Sequence, residues 1–134
     1  MASKVRSLVA LSIAGMLALS ACSAGTATQV ETVSPEEAQQ LLVDDPDAVL
    51  LDIRTPEEFA GPRIEGATNI DFYAADFADQ LRALDPDATY VVYCRSGNRS
   101  SQARGVFEEL GFADVSDVRG GIVSWHEAGL PLEG

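Results

Sequence analysis

Three hydrophobic patterns follow one another along the chain. Leu8 to Ser20 is an apolar stretch of 13 residues without a charge. Residues 23–33 (SAGTATQVETV) begin small and polar and show no apolar periodicity, which predicts a tether. From residue 34 onward, short apolar runs alternate with segments whose apolar positions recur at helical spacing.

Within that third region the local signals predict elements one by one. Ser34-Pro35-Glu36-Glu37 has the spacing of a capping box with Pro at the first helical position, and opens a helix to about Leu42. Ala48 to Ile53, interrupted only by Asp52, suits a strand buried on both faces. Thr55-Pro56-Glu57-Glu58 repeats the capping box and opens a short helix ending near Gly61. Ala67 to Ile70 reads as a short strand, and Phe77, Leu81 and Leu84 mark a helix over 73–84. Thr89 to Tyr93 is a β-branched and aromatic strand, followed by a helix from Ser100 to Leu110 with Gly111 as its stop. Val115 to Val118 makes a last strand, Gly120-Gly121 a turn, and Ile122 to Ala128 a closing helix. Strands alternating with helices predict one α/β domain, with a mainly parallel sheet and helices on both faces. Its expected extent is 34–134, after a leader over 1–21 and a tether over 22–33.

The leader reading rests on the first pattern. Lys4 and Arg6 precede the apolar stretch, which at about 1.5 Å per residue falls short of the roughly 30 Å hydrocarbon core of a bilayer. A signal-peptide core fits better than a span. Leu19-Ser20-Ala21-Cys22 then resembles a bacterial lipobox, with small residues for a peptidase and a cysteine to carry lipid. The expectation is an exported lipoprotein, held on the extracytoplasmic side of the membrane through Cys22.

Charge narrows the partners. The chain of 134 residues carries 21 acids against 9 Lys and Arg, a net charge of −12. That excludes nucleic-acid binding through a general basic surface, since the phosphate backbone demands clustered cations. Loss of Lys4 and Arg6 with the leader takes the charge to −14 and leaves arginine as the only strongly basic residue type. One histidine and two cysteines are too few soft ligands for a structural zinc site or a disulfide framework. With Cys22 lipidated, Cys94 is the one remaining thiol, and an odd cysteine in an exported protein asks for a reason.

The candidate chemistry lies in Tyr93-Cys94-Arg95-Ser96-Gly97-Asn98-Arg99-Ser100. A buried strand delivers Cys94 to its C-terminal end, where α/β proteins bind ligands. Small, polar and Gly residues then curl the chain into a helix N-terminus, which gathers backbone N–H groups into an anion-binding concavity. Sulfur at its centre is favoured as thiolate. Arg95 and Arg99 add positive charge within an acidic protein.

These segments resemble the single-domain rhodaneses. Cys94 to Ser100 is similar to their active-site loop, and Leu50-Leu51-Asp52-Ile53-Arg54-Thr55-Pro56-Glu57-Glu58-Phe59 to the motif after their second strand. Gly66-Ala67-Thr68-Asn69-Ile70 matches a further family segment, as do Gly120-Gly121-Ile122, Trp125 and Gly129-Leu130-Pro131 near the C-terminus. The likeness runs from about Val33 to Leu132. Arg63 stands where the family commonly has His, so no role passes to a histidine there.

The resemblance implies a rhodanese-like domain whose Cys94 takes sulfane sulfur from an anionic donor such as thiosulfate. The persulfide then passes it to a thiol or cyanide-like acceptor, or to a protein acceptor. Arg95, Ser96, Gly97, Asn98, Arg99 and Ser100 would bind the donor, and neither metal nor organic cofactor is required. Two alternatives of another class stay open: a tethered persulfide carrier and a non-catalytic binding module. Phosphatases and arsenate reductases of related fold use a Cys-x5-Arg loop, whereas Cys94 to Arg99 is Cys-x4-Arg, a tighter ring suited to one sulfur atom.

Other residues carry blander readings. Asp52 and Arg54 either support the loop and substrate or form a structural cap or ion pair. His126 suits a surface or packing role, and Trp125, Phe107 and Phe112 a core or loop-cover role. Asp44, Asp45, Asp47, Asp85 and Asp87 read as solvated turns.

Overall fold

Serine and threonine caps, β-branched runs and glycine stops place ten elements among the described residues. A computed structural model describes residues 27–134. Strand β1 (Gln29–Val33) leads into α1 (Pro35–Asp44), then β2 (Val49–Asp52), α2 (Pro56–Ala60), β3 (Thr68–Asn69) and α3 (Phe77–Arg82). Strand β4 (Thr89–Tyr93), α4 (Asn98–Glu109), β5 (Asp114–Val118) and α5 (Gly121–Glu127) complete the order. Both expected capping boxes are formed. Ser34 and Thr55 accept the N–H groups of Glu37 and Glu58, whose carboxylates accept the cap N–H groups in return.

The five strands pair only in parallel, in the order β1-β5-β4-β2-β3. Strand β4 is central, and its alternating side chains feed two cores. Tyr90, Val92 and Cys94 join Phe77, Leu81, Ala103 and Phe107 on the face covered by α3 and α4. Val91 and Tyr93 join Ala38, Ile122 and Trp125 on the face covered by α1 and α5. The expected α/β fold with helices on both faces is the fold observed. Trp125, Phe107 and Phe112 are core residues, each at most 2 % exposed. The buried tyrosines keep their hydroxyls bonded, Tyr90 donating to the Asp85 carbonyl at 2.6 Å and Tyr93 accepting the Ile64 N–H at 3.2 Å.

Three expectations need correction. Residues 29–33, read as tether, form β1 on the edge of the sheet. The strand is held by backbone pairing to β5, while Val30 and Val33 pack against opposite cores. The helix expected over 73–84 spans only Phe77–Arg82. Asp71 accepts the N–H of Tyr73 with its side chain at 2.9 Å and that of Ala74 with its carbonyl at 3.0 Å, which locks the preceding residues into turns. Helix α4 begins at Asn98 rather than Ser100. Cys22 lies outside the described residues, and among those residues no helix is long and apolar enough to cross a membrane.

Candidate active site

Cys94 follows directly on β4, 1 % exposed, with its side chain on the α4 face of the sheet. The chain then turns through Arg95 and Ser96 to Gly97, whose φ of +91° is a left-handed conformation costly for any residue with a Cβ. That turn brings the Gly97 N–H to 3.1 Å from Sγ. The Ser100 hydroxyl lies 3.6 Å from Sγ and donates to the Gly97 carbonyl at 3.3 Å.

Helix α4 has no side-chain cap at its N-terminus. Its first backbone bond runs from Ser101 N–H to the Gly97 carbonyl at 3.1 Å. Asn98, Arg99 and Ser100 therefore precede the first intrahelical donor, leaving first-turn N–H groups and the positive end of the helix dipole beside the sulfur. The outward carbonyls of the turn are tied off by α5. Ile122 donates to the Cys94 carbonyl at 2.9 Å and Val123 to the Arg95 carbonyl at 3.1 Å. A Cβ on Gly121 would stand 2.4 Å from the Cys94 oxygen, so this close approach requires glycine.

The two loop arginines have different surroundings. Arg99 is held by Glu58 through two hydrogen bonds, at 2.7 and 2.9 Å, and lies over the Tyr73 ring at 5.6 Å. The bond to Glu58 raises the Arg99 guanidinium above its ordinary range and pulls Glu58 down to about 2. The sequence reading gave Arg99 to the substrate; in the structure its guanidinium is paired with Glu58. Arg95 is exposed and makes no ion pair among the described residues. Ser96 and Asn98 are exposed beside it, and Ser100 is buried beneath.

Asp52 and Arg54 form a buried ion pair behind the loop. Arg54 Nε and a terminal nitrogen donate to the Asp52 carboxylate at 2.7 to 3.0 Å, its backbone N–H donates to Oδ1 at 2.8 Å, and the terminal nitrogen also reaches the Pro62 carbonyl at 3.0 Å. Burial works against the Arg54 charge, but Asp52 more than offsets it and holds the guanidinium above its ordinary range. Asn69 fixes this corner by donating to the Asp52 and Arg54 carbonyls at 2.9 and 2.8 Å.

Beside the loop opens a cleft of about 420 Å³, lined by Arg54, Pro62, Arg95, Ile122, His126 and Leu132 among others. His126 is exposed on its rim. One feature of the site escaped the sequence reading: Glu58 registered through its capping box and its family segment, not as the partner of Arg99. Among the described residues no group of three or more His, Cys, Asp or Glu is placed to hold a metal ion.

Known proteins share this framework. The family model of the rhodanese-like domain matches residues 34–128. A sulfurtransferase of Allochromatium vinosum is 36% identical over 103 residues, covering 77% of this chain and 94% of that protein. The thiosulfate sulfurtransferase GlpE of Pseudomonas aeruginosa is 39% identical over 95 residues, covering 71% and 83%. Among solved structures, a rhodanese-related protein from Thermoplasma volcanium superposes with a TM-score of 0.67 at 29% identity, covering 77% of this chain and 97% of that one. The polysulfide-sulfur transferase homodimer of Wolinella succinogenes gives 0.65 at 28% identity, covering 78% of each chain.

Proposed function

The chain belongs to the rhodanese-like family and is a sulfurtransferase of that family, and from this premise we propose that Cys94 carries the sulfur as a persulfide. The donor is an anion of the thiosulfate type and the acceptor is thiophilic. The observation that carries this reading is the Gly97 N–H at 3.1 Å from Sγ, at the uncapped start of α4.

In the first half-reaction the Cys94 thiolate attacks the outer sulfur of thiosulfate. A bond forms between Sγ and that sulfur, the bond to the sulfonyl sulfur breaks, and its electron pair leaves with sulfite. Arg95 and the first-turn N–H groups balance the negative charge on donor and leaving group. In the second, a thiolate or cyanide attacks the terminal persulfide sulfur, and the electron pair returns to Cys94. The burial of Cys94 favours a narrow terminal atom over a tetrahedral phosphate. The pairing of Arg99 with Glu58 also argues against the phosphatase reading, which needs that arginine for phosphate oxygens.

Mass spectrometry before and after thiosulfate tests the assignment. The expected result is a gain of about 32 Da on Cys94, one sulfur atom, removed again by cyanide. Absence of the adduct in folded protein that still turns over thiosulfate would overturn it.

We further propose that lipid on Cys22 holds the domain on the extracytoplasmic side of a membrane. The support is the sequence pattern alone: Lys4 and Arg6, the uncharged stretch to Ser20, and Leu19-Ser20-Ala21-Cys22. Radiolabelled palmitate should enter the wild-type chain and not Cys22→Ser; labelling that survives the substitution refutes the anchor.

A further inference from the structure

Arg54 is 5 % exposed, yet it lines the cleft beside the loop. Its guanidinium is held on three sides. Nε and Nη2 grip the Asp52 carboxylate, Nη2 also donates to the Pro62 carbonyl at 3.0 Å, and the Tyr93 ring lies 5.7 Å from the guanidinium carbon. Among the described residues the remaining nitrogen, Nη1, makes no hydrogen bond. The one fully buried side-chain nitrogen or oxygen without a partner among those residues is Oδ1 of Asp117, so Nη1 is not sealed inside the protein. The cleft is where it opens. A charged group that cannot turn away thus presents an oriented, unused donor to that space.

The rest of the cleft has the character of an organic ligand site. Pro62, Ile122, Val123 and Leu132 give it an apolar wall, and its volume of about 420 Å³ is room for more than thiosulfate. Val123 is 38 % exposed. Leu132 is fixed from behind, because Arg63 and Glu133 exchange backbone hydrogen bonds at 2.9 and 2.8 Å and the Trp125 indole donates to the Pro131 carbonyl at 2.9 Å. Arg95 adds an unpaired cation from the loop. Two carboxylates also border the cleft. That of Glu58 is taken by Arg99 and the Thr55 N–H, whereas Glu127 stands exposed on the rim and disfavours a second negative charge on a ligand.

We propose that this cleft receives the sulfur acceptor, a thiol with an apolar body and a single carboxylate, and that Arg54 Nη1 and Arg95 read the carboxylate. The acceptor enters after sulfite has left, so Arg95 serves donor and acceptor in turn. Its thiolate attacks the terminal sulfur of the Cys94 persulfide, the new S–S bond forms, the bond to Sγ breaks, and the electron pair returns to Cys94. Arg54 is therefore a specificity-determining residue as well as the partner of Asp52.

This rests on the reading of Cys94 as sulfur carrier, and a binding measurement separates the two. Calorimetry of full-length Cys94→Ser with 3-phenylpropionate, which has no thiol, should show binding at least tenfold tighter than with 3-phenylpropanol. Val123→Glu, on the exposed surface of α5, should weaken the acid about tenfold. Val43→Glu makes the same charge change at the far end of α1 and should leave affinity unchanged. Arg54→Lys keeps a cation for Asp52 without the second donor arm and should also lose about tenfold; circular dichroism checks its fold, and Val123→Glu carries the test if it unfolds. In the persulfide form of the wild-type chain, 2-mercapto-3-phenylpropionate should remove the added 32 Da about tenfold faster than its amide, at equal thiolate concentration. Equal binding of acid and alcohol, full affinity in Val123→Glu, or equal discharge by acid and amide overturns the proposal. Binding as expected in a chain that never forms the persulfide would instead strike the assignment of sulfur transfer to Cys94.

Discussion

The β2–α2 and β4–α4 corners stand side by side on neighbouring parallel strands, and they treat their helix ends in opposite ways. In the first, Thr55 caps the Glu58 N–H at 3.3 Å, Glu58 caps Thr55 at 2.9 Å, and the neighbouring carboxylate of Asp52 is filled by Arg54. Side chains already take up the Thr55 and Glu58 N–H groups and the Asp52 carboxylate. In the second, Gly97 brings no side chain to the cap, and the acceptor nearest the turn is sulfur. The same strand–turn–helix grammar yields a brace in one case and an uncapped turn around a buried sulfur in the other. The difference lies in whether the sequence spends its own side chains on the helix end.

The strongest way to break the contrast is Cys94→Ser, which keeps the turn and removes the sulfur. Sulfur transfer should fall by about three powers of ten or more, with circular dichroism unchanged. Retained turnover would mean that the open corner is not where chemistry occurs. Next comes the brace itself. Asp52→Ala leaves Arg54 buried without its carboxylate and should cost about 3–5 kcal/mol in urea denaturation. A loss under 1 kcal/mol would show that the pair is dispensable to the fold.

Glu58 joins the two corners, and its substitution sharpens the comparison. Because Arg99 holds it down to about 2, against an ordinary value of 4.5, its contribution to stability is complete above about pH 4.5 and fades as pH falls toward 2. With both partners partly exposed, that contribution is about 1–2 kcal/mol. Thermal midpoints of Glu58→Gln should show a shallower acid slope than wild type over this range. The same variant frees Arg99, so KM for thiosulfate should fall several-fold; an unchanged KM would show that Arg99 meets the donor even while paired. The smallest effect belongs to Thr55→Ala, which removes one cap and should cost about 1 kcal/mol with little change in turnover.

What was legible in the sequence was local. Both capping boxes, the four strands from Val49 onward and the Cys94–Ser100 loop each announce themselves within about ten residues. What was hidden depends on partners far away in sequence. Strand β1 is polar along much of its length and becomes a strand through its pairing to β5. Glu58 and Arg99 are 41 residues apart, so a carboxylate that reads as a cap also turns out to neutralise a loop arginine. Asp117 sits in a strand that reads as half polar, and only the fold shows it buried beneath α4. The expected helix over 73–84 was shortened by an Asp71 turn that hydrophobic spacing does not register.

The approach of Gly121 to the Cys94 and Arg95 carbonyls bears on protein engineering. The seven residues from Cys94 to Ser100 look like a portable cassette, but their peptide orientation is imposed by Ile122 and Val123 from a separate helix, over a glycine that leaves no room for a methyl group. Grafting the loop alone onto another parallel α/β scaffold would transplant the letters without the peptide plane orientation. A working graft needs the double glycine and the start of α5 as a second, discontinuous insert, held within hydrogen-bond distance of the first.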